Sequence, residues 1–224
     1  MNLGGDLRDP DQILAYLLSF ILATTIHEFM HAWTAQWLGD PTARDLGRIT
    51  LNPAMHFDPF GFFGMVMISI GFPFIGWGKP VPVNPSRFLH RFGRRRNAGM
   101  AIVAAAGPLS NVVQALVAAI PYQYAIRNGV DLGGAGTFLT AYLTVNVLLA
   151  SFNMIPVPPL DGHKILMGIL PSFWQPVLAP LERYGFVILL LLFFIGGQLG
   201  SSIVNPIMLP VRNAIYDLVL FGLT

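Results

Sequence analysis

The chain has 224 residues, 54% of them hydrophobic and 11% charged, with a formal net charge of +2 and no cysteine. A soluble domain of this length carries about 25% charged residues, so the composition excludes an ordinary soluble fold and predicts a polytopic membrane domain. Without cysteine there is no disulfide framework, and any bound metal must be held by histidine and carboxylate.

At the N-terminus Asp6, Asp9 and Asp11 outnumber Arg8, so no cleavable signal peptide is expected there. Asp11 to Leu38 predicts the first membrane helix, stopped by Gly39-Asp40-Pro41. Gly47 to Asn52 contains a short β-like run, Arg48-Ile49-Thr50-Leu51. Phe60 to Ile75 is apolar but broken by Gly61, Gly64, Gly71 and Pro73, and reads as a short, re-entrant segment. Gly76 to Pro85 reads as an extended Pro/Gly loop. The cluster Arg87, Arg91, Arg94, Arg95 and Arg96 reads as a cytoplasmic membrane flank rather than a nucleic-acid site.

Ala98 to Ala125 is a long apolar segment that Pro108 and Pro121 are expected to kink or interrupt. After the polar turn Asn128 to Gly136, Thr137 to Met154 is a further span, closed by Pro156-Val157-Pro158-Pro159. His163 to Leu170 reads as a short interfacial helix and Gly185 to Phe194 as the centre of another span. Ile203 to Phe221 is the last candidate, weakened by Pro206 and Pro210. The expected fold class is an all-α polytopic membrane bundle of about four to six spans, with a short β or re-entrant region between the first two core helices. One domain is expected over 1–224, with a core over residues 11–163 and C-terminal helices over 181–222. The basic residues before Ala98 place that side in the cytoplasm and the acidic N-terminus outside.

Inside the first apolar run stands His27-Glu28-Phe29-Met30-His31. Histidines at i and i+4 point from one helix face and can share one ion, while Glu28 beside them can take a proton from metal-activated water. Ionisable groups at this depth are expensive, and their default reading is functional. A catalytic zinc site needs a third protein ligand and an open fourth position. The candidates are His56, His90, His163, Asp58 and Asp161. Asp161 fits best, because the proline-rich end of the preceding span can aim its carboxylate into a bundle; locally it could equally cap the next helix.

His27-Glu28-x-x-His31 together with Asn153-x-x-Pro156-x-x-x-Leu160-Asp161-Gly162 resembles the site-2 protease family of intramembrane zinc metalloproteases. Asn52-Pro53-x-x-His56-x-Asp58-Pro59-x-Gly61, Gly78 to Pro85 and Gly107-Pro108-Leu109-Ser110-Asn111 look like further elements of that family. The resemblance runs from about Thr24 to Gly162 and implies one zinc ion per chain. It implies metal ligands His27, His31 and Asp161, with Glu28 as general base. Asn111 then serves as a substrate or oxyanion partner, or as helix–helix glue. His56 polarises the substrate carbonyl, or is a structural hydrogen-bonder. The implied partners are a membrane-spanning protein substrate and the lipid bilayer, with no nucleic acid; a homo-oligomer or a regulatory membrane partner stays open. The implied location is the cell membrane, multi-pass, with the site toward the cytoplasm. Larger relatives carry PDZ or CBS domains, for which this chain has no length.

The rivals are a prenyl-type CAAX membrane metalloprotease, for which only Glu182 is available as a glutamate ligand, and a catalytically silent metal-binding scaffold or transporter. A rhomboid-type serine enzyme lacks its Gly-x-Ser-Gly here, and no Gly-x-Gly-Asp supports an aspartyl protease.

Overall fold

A computed structural model describes residues 9–70, 72, 74, 76–89, 96–194 and 197–221. Three helices are long and apolar enough to cross a membrane: α1 (Pro10–Trp37), α5 (Arg96–Asn128) and α6 (Gly134–Asn153). Between the first two lie α2 (Thr42–Asp45), α3 (Pro53–His56), α4 (Pro59–Ser69) and a 3-10 turn at Pro85–Arg87. After α6 come α7 (Asp161–Ile169), a 3-10 turn at Ser172–Trp174, α8 (Gln175–Phe194) and α9 (Gly197–Val219).

Local sequence sets the helix ends. Asp9 caps α1 through the Asp11 N–H, with Pro10 at the first helical position. The far end closes on Gly39, whose φ of +105° suits glycine. The Gly39 N–H donates to Gln36 O and the Asp40 N–H to Ala35 O, so the chain reverses directly behind the helix that carries the histidines. Asn52 and Asp58 cap α3 and α4 in the same way, each followed by proline.

α5 is the hub and packs on α1, α6 and α7. Ala115, Ala118 and Ala119 of α5 meet Ala150 of α6, with Ile215 and Val219 of α9 closing the cluster. Small residues let the helix axes approach, which is how helices associate where water supplies no driving force. A second cluster, Phe20, Ala23, Met65 and Val145, ties α1, α4 and α6. The outer faces carry Leu14, Leu18 and Leu22 on α1 and Val113, Val117 and Ile120 on α5, an apolar surface suited to lipid.

Two expectations change. Pro108 and Pro121 do not interrupt the third apolar segment, because both lie within continuous α5. In hydrocarbon a broken turn would leave several unpaired backbone groups, so keeping the helix around a proline costs less. The β-like run at 48–51 forms no strand, and none is present among the described residues. Its polar groups bond locally instead: the Arg48 N–H donates to Ala43 O, the Asn52 N–H to Thr50 Oγ1, and Thr50 O faces His56 Nε2. His90, Arg91, Arg94, Arg95, Gly71 and Pro73 lie outside the described residues.

Candidate active site

His27 and His31 are buried on the face of α1 that meets α5. The second nitrogen of each ring is tied to α5. His27 Nδ1 lies 2.6 Å from Asn111 Oδ1, and His31 Nδ1 lies 2.7 Å from Val103 O. Both partners are oxygens that only accept, so both Nδ1 atoms carry the proton and both Nε2 atoms present lone pairs. Val103, Gly107 and Asn111 are four residues apart and form one stripe along α5. Gly107 stands between the two anchoring points. A Cβ there would lie 2.5 Å from His27 Cε1, His31 Cε1 and His31 Nε2.

Asp161 arrives from the other side. The chain leaves α6 at Asn153 and folds back so tightly that a Cβ on Gly162 would lie 2.4 Å from Met154 O. α7 then presses on α5, where a Cβ on Gly168 would lie 2.3 Å from Ala101 Cβ. This places Asp161 Oδ2 3.2 Å from His27 Nε2 and 3.2 Å from His31 Nε2, while the two nitrogens are 3.0 Å apart. Asp161 Oδ2 is buried and no donor is aligned on it among the described residues.

With both rings neutral, three lone-pair atoms converge, an arrangement that repels itself unless a cation sits there. Tetrahedral zinc with bonds of about 2.0–2.1 Å separates its ligands by about 3.3 Å, so the donor set fits zinc. Among the described residues these three atoms are the ones that meet at 3.0–3.2 Å, and a tetrahedral ion held by three ligands has a fourth position open.

Glu28 also brings a carboxylate oxygen near, all within 4.8 Å of both histidines. Its Oε2 accepts the Val81 N–H at 2.9 Å. The Asp161 oxygen is closer to both rings and otherwise unbonded, and Glu28 stands beside the three. Both carboxylates open on a cavity of about 500 Å³. Its walls are mostly apolar, with Met100, Val103, Leu149, Phe152, Phe186 and Leu189, while Thr24, Asn153 and Lys164 add polar groups.

The segment 76–84 runs across this cavity as an extended strap. It passes so close to α4 that a Cβ on Gly61 would sit 1.9 Å from Trp77 O. Trp77 packs edge-on against Phe186 of α8, with ring centroids 5.7 Å apart.

The remaining expected residues have other partners. Asn111 is fully buried; its amide nitrogen donates to Asn146 Oδ1 at 2.8 Å, so its polar atoms are committed to His27 and Asn146 rather than to the cavity. His56 is buried behind the strap, bonded to Thr50 O, and its own carbonyl accepts the Lys79 N–H. Asp58 caps α4. His163 Nε2 lies 3.4 Å from Glu182 Oε1, and burial pushes its pKa below the ordinary value against the pull of that carboxylate.

Three residues near the site went unread in the sequence. Asn146 holds Asn111; a lone amide in an apolar span was the available signal. Asp40 and Arg48 anchor the strap, and neither stands in a motif that announces this.

Comparison with known proteins finds zinc metalloproteases. The chain is 35% identical over 215 residues to "Putative zinc metalloprotease YwhC" of Bacillus subtilis, covering 93% of both chains. It is 29% identical over 177 residues to "Putative zinc metalloprotease Rip2" of Mycolicibacterium smegmatis, covering 79% of this chain and 65% of that one. A third relative, "Putative zinc metalloprotease MJ0611" of Methanocaldococcus jannaschii, is 40% identical over 82 residues, or 37% of this chain and 40% of its own. No family model and no solved structure matches. With a helical, membrane-embedded HExxH site, a converging aspartate and near full-length similarity to a metalloprotease, the chain belongs to the site-2 protease-like family of intramembrane zinc metalloproteases.

Proposed function

We propose that the protein is an endopeptidase of the site-2 type, cutting peptide bonds within or near a transmembrane segment of a membrane-tethered protein. The observation that carries this reading is the meeting of His27 Nε2, His31 Nε2 and Asp161 Oδ2 at 3.0–3.2 Å beside Glu28, in a cavity walled by membrane-length helices. In this reading His27, His31 and Asp161 hold the zinc. Bound zinc supplies Lewis-acid activation of water and of the scissile carbonyl. Glu28 accepts the proton of the attacking water and returns it to the leaving amine. Asn111 and Val103 O keep the rings in the metal-binding tautomer. The apolar walls exclude bulk water and accept an unwound stretch of the substrate span. His56, bonded to Thr50 O and holding the Lys79 N–H, shapes the strap from behind.

The same reading extends to the membrane. α4, with 11 residues, is too short to span about 30 Å of hydrocarbon, and with the strap it suits a re-entrant segment held against protein. Adding α8 and α9 to the three long helices gives a bundle within the range of four to six spans. Arg44, Lys79, Arg87 and Arg96 support a cytoplasmic mouth and a cell-membrane location. The partners are then a single-span protein substrate and lipid, with no nucleic acid, and any copy or regulator docks on the lipid-facing surface.

The test is cleavage of a tagged single-span substrate by purified protein in lipid, wild type beside Glu28→Gln, with zinc measured in both. Zinc-dependent cuts inside the span are expected, lowered at least about a hundredfold in a Glu28→Gln protein that keeps its zinc. Cuts that persist in the variant would remove Glu28 from the chemistry. A zinc-loaded wild type that cuts none of several such substrates would favour a silent scaffold.

A further inference from the structure

The strap at 76–84 is tied down by charge that the chemistry above does not use. Arg48 is 5% exposed, yet its guanidinium reaches no carboxylate within ion-pair distance among the described residues. It donates instead to two successive strap carbonyls, Lys79 O at 2.6 Å and Pro80 O at 3.3 Å. Asp40 is fully buried and also lacks a cationic partner among the described residues. Its Oδ2 accepts the Asn84 N–H at 2.6 Å, while Oδ1 accepts the Thr42 N–H and lies within bonding distance of the Thr42 hydroxyl. Buried charges are costly to keep, and ones committed to main chain fix that main chain firmly.

Between these two clamps lies Val81, whose N–H is bonded to Glu28. Pro80 and Pro82 flank it and have no N–H of their own, so Val81 carries the only backbone donor from 80 to 82. Its direction follows from how Lys79, Pro80 and Asn84 are held. We infer that Arg48 and Asp40 are positioning residues: they hold the strap so that the Val81 N–H orients the Glu28 carboxylate, which the Arg48 guanidinium also faces at longer, purely electrostatic range. This inference rests on the reading of Glu28 as base, but the strap's position can be measured without any turnover.

The measurement uses the absence of cysteine from the chain. A Cβ on Gly78 would lie 3.6 Å from Thr24 Cβ and meets nothing closer than 3.5 Å, so Thr24→Cys with Gly78→Cys falls within disulfide range. The rate of disulfide formation in lipid reports how long the strap dwells against α1. It would be measured in this double variant alone and with Arg48→Lys or Arg48→Met added. Lysine keeps the charge on a single nitrogen and loses the planar fork that reaches both carbonyls at once; methionine keeps volume and no donor.

The expected order of cross-linking rate is arginine, then lysine, then methionine, with methionine at least about tenfold slower, as for loss of charge-assisted hydrogen bonds. In the cysteine-free background the same substitutions lower kcat in that order, while zinc content stays unchanged. Equal cross-linking rates in the three proteins would overturn the inference, as would loss of zinc in a folded Arg48→Lys protein. If Arg48→Met does not fold, the lysine variant decides: slower cross-linking supports the inference and parental cross-linking refutes it. The rate order with no cleavage by any variant keeps the strap assignment and sinks the protease reading instead.

Discussion

Gly107→Ala tests the packing that sets the metal ligands. The added Cβ would sit 2.5 Å from three ring atoms of His27 and His31. Carbon contacts are comfortable from about 3.5 Å, so the rings and α5 must part by about 1 Å. That movement stretches His27 Nδ1–Asn111 Oδ1 and His31 Nδ1–Val103 O, now 2.6 and 2.7 Å. Both would open to about 3.6 Å, beyond hydrogen-bonding distance. Loss of one such outer partner costs about 10–100-fold in metal affinity. With both weakened, zinc affinity should fall about a hundredfold, or ~2.7 kcal/mol. Overpacking adds about 1–3 kcal/mol of lost stability. The assay is zinc retention against a graded chelator, with thermal unfolding in the same lipid. Gly99→Ala is the control, because its Cβ would press on the Phe88 ring at 2.7 Å, on the same helix but away from the histidines. It should lose stability and keep zinc. A Gly107→Ala protein that binds zinc as tightly as the parent would refute the account of α5 as the element that sets the rings.

Other outcomes follow from the same contacts. Asn111→Leu removes the acceptor of the His27 N–H and leaves Asn146 unpaired, so zinc affinity should drop about 10–100-fold; chelator competition measures it, and unchanged affinity would deny Asn111 an orienting role. Asp161→Ala deletes the third converging donor and should leave protein purified with far less than one zinc per chain, read by elemental analysis. Removing zinc from the parent should lower its unfolding temperature, since three lone pairs then face one another unscreened. The same treatment should leave an Asp161→Ala protein unmoved, and an equal response in both would place the bound metal elsewhere.

What sequence alone determined is the chemistry and the existence of the helices. Histidines four apart on an apolar run specify one face and one ion, and long apolar stretches specify spans, because both are local periodicities. Gly39-Asp40-Pro41 marked where α1 ends, again through contacts only a few residues apart, whereas the short helices α2 and α3 went unread. Asp161 could be nominated from its proline-rich approach but not placed, since its 3.2 Å contacts depend on α7 folding back over α5. The tertiary structure decided which polar residues serve which. Asn111 turned toward His27 and Asn146 because three helices meet there, and Arg48, read as a flanking charge, turned inward to strap carbonyls 31 and 32 residues away. A hydrogen bond between distant residues leaves no period in the chain. It exists only where packing removes water and obliges each buried polar group to find a partner.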